Sequence, residues 1–448
     1  MIKRIILIAL AFTGLMVGAG MATGQETVQY FMSFGTDGIW GVLLAGAIIS
    51  VTGLVILQLG SYFRAQSHSR VFNSLTHKVV ATFLDVCVTV TVFALGFVMM
   101  AGAGSTMAQQ FGWPVWLGSA IMLVLVLLTG LLDVNRVTQV IGYVTPVVIV
   151  AIVAAFAFAL TQLPVDLDAL DQLARSEPSP ISPWWLSAIN YAGLVLITAV
   201  SMVLVIGGSY LHPKEAGWGG LAGGLLLTAL LLMLSTGLLL SFDQVVGVSV
   251  PTLAMINAIH PAFGQVMVWI IYLMIYSTCI GQHYSLGRRL SAGKPRRFYP
   301  FFAAAAVAGF GISFVGFETL MASVYPALGF LGLLLAAVMA VGYLREWPNI
   351  DAESTRRVAI RALFTRRMHP AQTYTRSDAE ELAQLVEESP MTARDMREAV
   401  TEEVLDELTA DDTVDFERDD DTPVEPLTAE EIAALPDEDP DEPGRADR

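Results

Sequence analysis

The sequence predicts an all-α integral membrane protein built from ten transmembrane helices, and three observations carry that prediction. Of 448 residues, 54% are hydrophobic and only 15% charged, against about 25% charged in a soluble domain, which excludes a soluble enzyme. Ten runs are each long and apolar enough to match the ~20 residues that cross a hydrocarbon layer. The charges between those runs alternate so as to orient them. The net charge of −16 hides this, because residues 1–345 carry 14 Lys+Arg against 11 Asp+Glu, whereas residues 346–448 carry 11 against 30. The chain divides into a slightly basic ten-helix body, 1–345, and a strongly acidic tail, 346–448.

The runs fall at about 5–33, 38–62, 79–107, 114–132, 138–161, 184–209, 217–241, 261–287, 299–316 and 318–344. In lipid each span must satisfy its own backbone groups, so helices are the default, and the alternating ten-residue pattern of a barrel is absent. With the N-terminus placed in the cytoplasm, the inside segments hold Lys3, Arg4, Arg64, Arg70, Lys78, Arg136, Lys214, Arg288, Arg289, Lys294, Arg296, Arg297 and Arg345. The outside segments hold Arg175 alone. That is the positive-inside distribution, and one helix more or fewer would scramble it from that point onward. It predicts a multi-pass membrane protein with both termini cytoplasmic, and a cell membrane of a prokaryote is its expected location.

The first run is the most informative. Leu15-Met16-Val17-Gly18-Ala19-Gly20-Met21-Ala22-Thr23-Gly24-Gln25-Glu26 holds three glycines in seven residues, each costing a helix interior about 1 kcal/mol relative to Ala. At membrane depth, irregular backbone is tolerated where it lines a cavity or is buried in protein. Broken helices are also where transporters bind cargo, because freed N–H groups suit anions and freed carbonyls suit cations. A small-residue packing face is the plainer alternative. Glu26 favours the break, since an ionisable group inside a span is by default a functional-site hypothesis. It is expected to bind a proton, to help bind a cation or to gate the outer vestibule, with a snorkelling carboxylate as the alternative. Lys3-Arg4, the apolar stretch and Gly18–Ala22 also have the form of a secretory signal peptide, but the run continues through Val28, Tyr30 and Phe31.

Later spans add polar groups. The third holds Asp85 near its cytoplasmic end and then Ala101-Gly102-Ala103-Gly104, which reads as a packing face. The sixth holds Asn190 and Tyr191, then Thr198-Ala199-Val200-Ser201 as a candidate second break. In the eighth, the adjacent hydroxyls of Ser277 and Thr278 offer two oxygens to a hard monovalent cation, unless they bond back to their own helix carbonyls. His283 reads as an interfacial residue. Cys87 and Cys279 lie in apolar runs without a CxxC partner, so they read as core residues and no metal or redox site is expected.

The opening Gly18-Ala19-Gly20-Met21-Ala22-Thr23-Gly24-Gln25-Glu26, the third-span Ala101–Gly104 and the ten-span layout resemble the YkvI-like membrane protein family of permeases. That family is distantly related to the amino acid–polyamine–cation and sodium-coupled neurotransmitter transporters. The resemblance covers about residues 5–345. It implies a LeuT-type fold of two inverted five-helix repeats, here about 5–161 and 184–344, with discontinuous first and sixth helices. It also implies a sodium ion held by the carbonyls of Gly14, Val17 and Met274 and the hydroxyls of Ser277 and Thr278, with Glu26 as a rival proton-coupling group. Cargo would meet Gly18, Ala19, Gly20 and Met21 on the first helix and Thr198 and Ser201 on the sixth. A carboxylate would take the N–H groups of Ala19–Met21, and an amine the carbonyls of the sixth span.

In the tail, Arg356, Arg357, Arg361, Arg366 and Arg367 alternate with Val358, Ile360, Leu363 and Phe364, a basic stretch expected to lie on anionic lipid. Ser377-Asp378-Ala379-Glu380 and Thr428-Ala429-Glu430-Glu431 read as capping boxes, the second with Leu427 and Ile432 as a staple. Residues 390–408 read as an amphipathic helix through Met396, Val400, Val404 and Leu408. The rest is expected to be disordered, with a cytoplasmic partner as its alternative to no specific role. The expected function is secondary active transport of a small organic solute, an amino acid or related amine, coupled to sodium or protons. The alternative is a membrane-embedded sensor that signals through the tail. An enzyme, a cofactor and a nucleic-acid partner are not expected.

Overall fold

The computed structural model describes residues 2–131, 144–162, 166–291, 294–369, 372–409 and 429–437. The first run is divided into α1 (Ile2–Met16), α2 (Ala19–Thr23) and α3 (Gln25–Tyr30). Then come α4 (Asp37–Tyr62), the short α5 (His68–Leu75), α6 (Lys78–Phe111), α7 (Val115–Thr129), α8 (Val144–Thr161) and the short α9 (Leu167–Ala174). The second half holds α10 (Trp184–Ser209), α11 (Pro213–Leu240), α12 (Phe242–Val245), α13 (Pro251–Ile259), α14 (Pro261–Leu290), α15 (Pro295–Ser313) and α16 (Phe317–Met368). The tail contributes α17 (Arg376–Glu387), α18 (Ala393–Thr409) and α19 (Ala429–Ala433). Helices α4, α6, α10, α11, α14 and α16 are long and apolar enough to cross a bilayer, and α7 and α8 are shorter apolar helices. Arg136 and residues 138–143, the start of the fifth run, lie outside the described residues.

Helix α1 packs on α11, and α10 packs on α4. In the same way α6 pairs with α7 and α14 with α15, while α8 meets α11 and α16 meets α4. The α4–α11 crossing sits at the centre of this arrangement, and its backbones are nearly in contact. A Cβ on Gly220 would lie 2.5 Å from the Gly53 carbonyl oxygen. Without hydrophobic driving force between helices in lipid, such close approach supplies the packing energy. Gly220→Val is therefore expected to wedge the helices apart at a cost of about 1–3 kcal/mol, read as a lower Tm of the purified protein. An unchanged Tm would contradict the close crossing.

Three expectations are corrected. Helix α10 is continuous through Thr198–Ser201. No Gly or Pro interrupts it between Leu194 and Ile206, and Thr198 Oγ1 turns back onto the Val195 carbonyl at 2.8 Å, so the hydroxyl closes the backbone rather than opening it. His283 is buried rather than interfacial: its ring fills the space left beside Gly96, and Nδ1 meets the Cys279 carbonyl at 2.8 Å. The last helix does not stop at 344 but runs through Pro348 to Met368. Ala101, Gly102, Ala103 and Gly104 form a packing face as expected, with Gly104 against Val115 of α7.

What carries α16 onward is packing by the tail. Met396, Val400, Val404 and Leu408 are buried against Ile360, Phe364 and Leu211 in a second apolar core. The amphipathic helix expected over 390–408 is thus present as α18; residues 410–428 and 438–448, including Leu427 and Thr428, lie outside the described residues. The first capping box starts two residues earlier than expected. Thr375 Oγ1 accepts from the Asp378 N–H at 3.2 Å, and Asp378 accepts from the Thr375 N–H at 3.0 Å.

The basic stretch faces carboxylates of its own chain rather than being free for lipid. Arg356 pairs with Glu353 at 2.7 Å, Arg361 with Glu403 at 3.1 Å and Arg366 with Asp378 at 3.0 Å. Tethering explains the preference, because carboxylates on the same chain compete at a high effective concentration. Arg357 is completely buried: its guanidinium donates to Glu353 Oε1 (2.8 Å) and to the carbonyls of Ser61 (3.0 Å), Leu211 (2.9 Å) and Tyr62 (2.9 Å). It thereby closes the exposed carbonyl end of α4, a position that favours a cation.

Candidate functional site

The break between α1 and α2 is built by Gly18. Its backbone is extended (φ −104°, ψ −170°), its N–H donates to the Met16 carbonyl at 2.9 Å, and the Val17 N–H donates to the Thr13 carbonyl at 2.9 Å. Among the described residues, the carbonyls of Gly14, Leu15 and Val17 and the N–H groups of Ala19, Gly20 and Met21 then have no backbone partner. A second interruption follows at Gly24, in the left-handed region at φ 79°. A side chain there would be strained and would also collide with Thr252 of α13, which lies over this turn. The α13 loop is pinned by Gln109, whose side chain bonds both the N–H (2.8 Å) and the carbonyl (2.9 Å) of Val250.

Because the chain turns at Gly24, Glu26 reaches back and its carboxylate lies directly against Gly20, in the space a Cβ would need. Tyr30, Tyr191 and Tyr325 surround it within electrostatic range. Tyr30 Oη donates to Asn190 Oδ1 at 3.3 Å, and Asn190 Nδ2 donates to the Pro326 carbonyl at 2.9 Å, which links α3, α10 and α16 around the carboxylate. Tyr325 Oη is buried and faces Glu26 without a hydrogen bond of normal geometry.

Opposite the break lie Ser277 and Thr278 on α14. Hydroxyls elsewhere in the bundle, such as those of Thr13, Thr91, Thr106 and Thr228, bond back to the carbonyl four residues earlier. Ser277 and Thr278 make no such bond, and both face a cavity. Their oxygens are thus available to a ligand, the alternative that the sequence left open.

These features meet in one cavity of about 460 Å³, within the usual size range for a small-molecule site. Gly14, Val17, Gly18, Ala19, Gly20, Met21, Glu26, Thr198, Met274, Ser277 and Thr278 all line it. Ser201 does not; its hydroxyl accepts from Arg289 Nη2 at 3.5 Å. Sequence reading did not single out Leu95, Met99, Thr129, Thr145, Gln282, Tyr284 or Tyr325. Tyr325 had one signal, an aromatic hydroxyl beside a proline inside a span. Glu26 is the sole Asp, Glu, Lys, Arg or His among the described lining residues.

Toward the tail-bearing face a polar cluster binds four helices together. His68 Nε2 meets Asp85 Oδ1 at 2.8 Å, and Arg289 Nη1 donates to Asp85 (3.3 Å) and Thr89 (3.1 Å). With the bond from Arg289 to Ser201, this links α5, α6, α10 and α14.

No family model matches the chain. It is 25% identical over 336 residues, 73% of this chain and 92% of the relative, to the uncharacterized membrane protein YkvI of Bacillus subtilis (strain 168). It is 23% identical over 342 residues to the uncharacterized protein YyaD of the same organism, covering 75% and 97% of the two chains. The chain is therefore similar to the membrane protein YkvI, and with its apolar helices it is a multi-pass membrane protein. Among solved structures it is similar to the Eremococcus coleocola manganese transporter, with TM-score 0.49 and 12% identity over 90% of this chain and 92% of that one. It is also similar to Mhp1, a nucleobase-cation-symport-1 family transporter, with TM-score 0.47 and 16% identity over 76% and 77%. At that level of similarity these structures do not bear on cargo or coupling.

Proposed function

We propose that the protein is a secondary active transporter of a small zwitterionic or amine solute, an amino acid or a close relative, driven by sodium or protons. The observation that carries this reading is the convergence on one cavity of a broken helix, a single carboxylate and two unpartnered hydroxyls. The unpaired N–H groups of Ala19–Met21 suit a cargo carboxylate. Because α10 is unbroken, its carbonyls are occupied, and Glu26 among its tyrosines becomes the partner of the cargo amine, by charge and by cation–π attraction. The freed carbonyls of Gly14 and Val17 and the hydroxyls of Ser277 and Thr278 suit a sodium ion, to which the Met274 carbonyl, already bonded within α14, can offer its second lone pair. Ten spans in a LeuT-type inverted arrangement, in a prokaryotic cell membrane with both termini cytoplasmic, fit the exchange of packing partners between the halves and the distribution of cations between the loops.

The test is a thermal melt of the purified protein against amino acids and amines, in sodium or in choline. A ligand at 100 times its Kd stabilises by about 2.7 kcal/mol. The expected result is a shift that needs both sodium and one solute, and that loses its sodium dependence in Ser277→Ala combined with Thr278→Ala. Unchanged sodium dependence in the double variant removes sodium from these hydroxyls. A solute shift that follows pH instead transfers the coupling to Glu26, and no shift with any solute overturns the transporter reading.

A further inference from the structure

We infer that α18 of the tail is a latch on α1, and that the cavity opens toward the tail-bearing face only when Glu403 releases Arg4. Helix α1 has the construction of a lever. It is a rod of 15 residues, about 22 Å long at 1.5 Å per residue. One end stops at the Val17–Gly18 break, where backbone bonds are missing and where Gly14, Leu15 and Val17 form cavity wall. Between its ends it rests on α11 through apolar contacts and one hydroxyl bond, Thr13 Oγ1 to the Gly223 carbonyl at 2.9 Å.

The far end carries Arg4, whose guanidinium bonds Glu403 and lies 3.7 Å from Glu215 at the start of α11. The same Glu403 carboxylate reaches Arg361 Nε at 3.1 Å and His212 Nε2 at 3.2 Å. One side chain of α18 thus ties α1 to α16 and to the cap of α11. The position of Glu403 is fixed by its neighbours on the helix, because Val400 and Val404 are fully buried in the tail core. Burial pushes the Glu403 carboxyl up, but its bond to His212 and the charges of His212 and Arg4 outweigh this and hold it below the usual carboxylate range, so it is charged at neutral pH. A hinge beside the cavity and a charged tie at the opposite end place the tail in control of a wall segment that is cut free on one side. Swinging α1 out exposes the cavity; docking α18 keeps it covered.

The test reads the position of α1 rather than transport, so its failure and that of the transporter reading are distinguishable. Full-length protein in detergent, with Cys87 and Cys279 replaced by alanine, carries Leu15→Cys on the cavity side of α1, and the rate of maleimide labelling is measured. Glu403→Gln is expected to speed labelling about tenfold, the shift in a two-state ratio that corresponds to about 1.4 kcal/mol. Arg4→Ala, which breaks the same contact from the other side, is expected to match it. Combining the two adds little further, as for partners in one interaction. Arg394→Ala, at an exposed pair with Glu398, is expected to leave the rate unchanged. Unchanged labelling in both Glu403→Gln and Arg4→Ala overturns the latch, and so does an equal rise in Arg394→Ala.

Discussion

Glu26→Gln is expected to weaken solute binding about a hundredfold while the protein still folds. The substitution keeps the shape that lies against Gly20 and removes only the charge, in a cavity where no described lining residue supplies another. Truncating one partner of a buried charge pair costs about 2–5 kcal/mol, and about 2.7 kcal/mol is already a hundredfold. Titration of the purified protein with the solute that stabilises the parent measures the effect directly. If Kd is unchanged and only its pH dependence disappears, Glu26 carries the coupling proton and the amine is bound elsewhere. If neither changes, Glu26 has no part in the site.

Arg357→Ala is expected to be the most destabilising single change in the tail, at about 3–5 kcal/mol, because removing one member of a buried ion pair strands the other. Glu353, itself buried, would keep its bonds from Arg356 and Ser389 but lose its fully buried partner. The carbonyls of Ser61, Tyr62 and Leu211 would lose a donor at the same time. The predicted consequence is undocking of α17 and α18 with the bundle intact. Trypsin should then cut after Arg366 or Arg367 far faster than in the parent, while the cavity still binds its solute. A tail that resists trypsin as well as the parent does would show that the apolar contacts of α18 suffice to hold it.

Much of the molecule was legible from local pattern. Apolar runs of the right length gave the spans because lipid leaves helices as the solution. Three closely spaced glycines located the break in the first helix, and four apolar residues at helical spacing located α18. The same reasoning failed at Thr198–Ser201, where small polar residues suggested a break. There the local pattern was ambiguous: hydroxyls at membrane depth can open a backbone or close it, and Thr198 closes it. At Ser277 and Thr278 the helix is also unbroken, but there the hydroxyls do not turn back onto it and are left open to the cavity. The residue types in the two stretches do not distinguish these outcomes, because a hydroxyl in a helix can take either rotamer.

The sequence by itself determined what depends on composition and short-range spacing: a membrane-spanning all-α body, the position of the Gly18 break, a carboxylate at Glu26 within the first span, and an acidic tail with a helix at its centre. Only the tertiary structure decided that Glu26 folds back onto Gly20 beneath Tyr30, Tyr191 and Tyr325, and that residues as distant as Val17, Thr198 and Ser277 share one wall. It alone decided that the basic stretch after the last span turns to Glu353, Glu403 and Asp378. The physical reason is range. Backbone propensity and burial are read within a few residues, whereas a charge takes whichever partner the fold brings within reach. Arg357, ordinary in sequence, became a fully buried residue because the end of α4 and the loop at Leu211 meet around it.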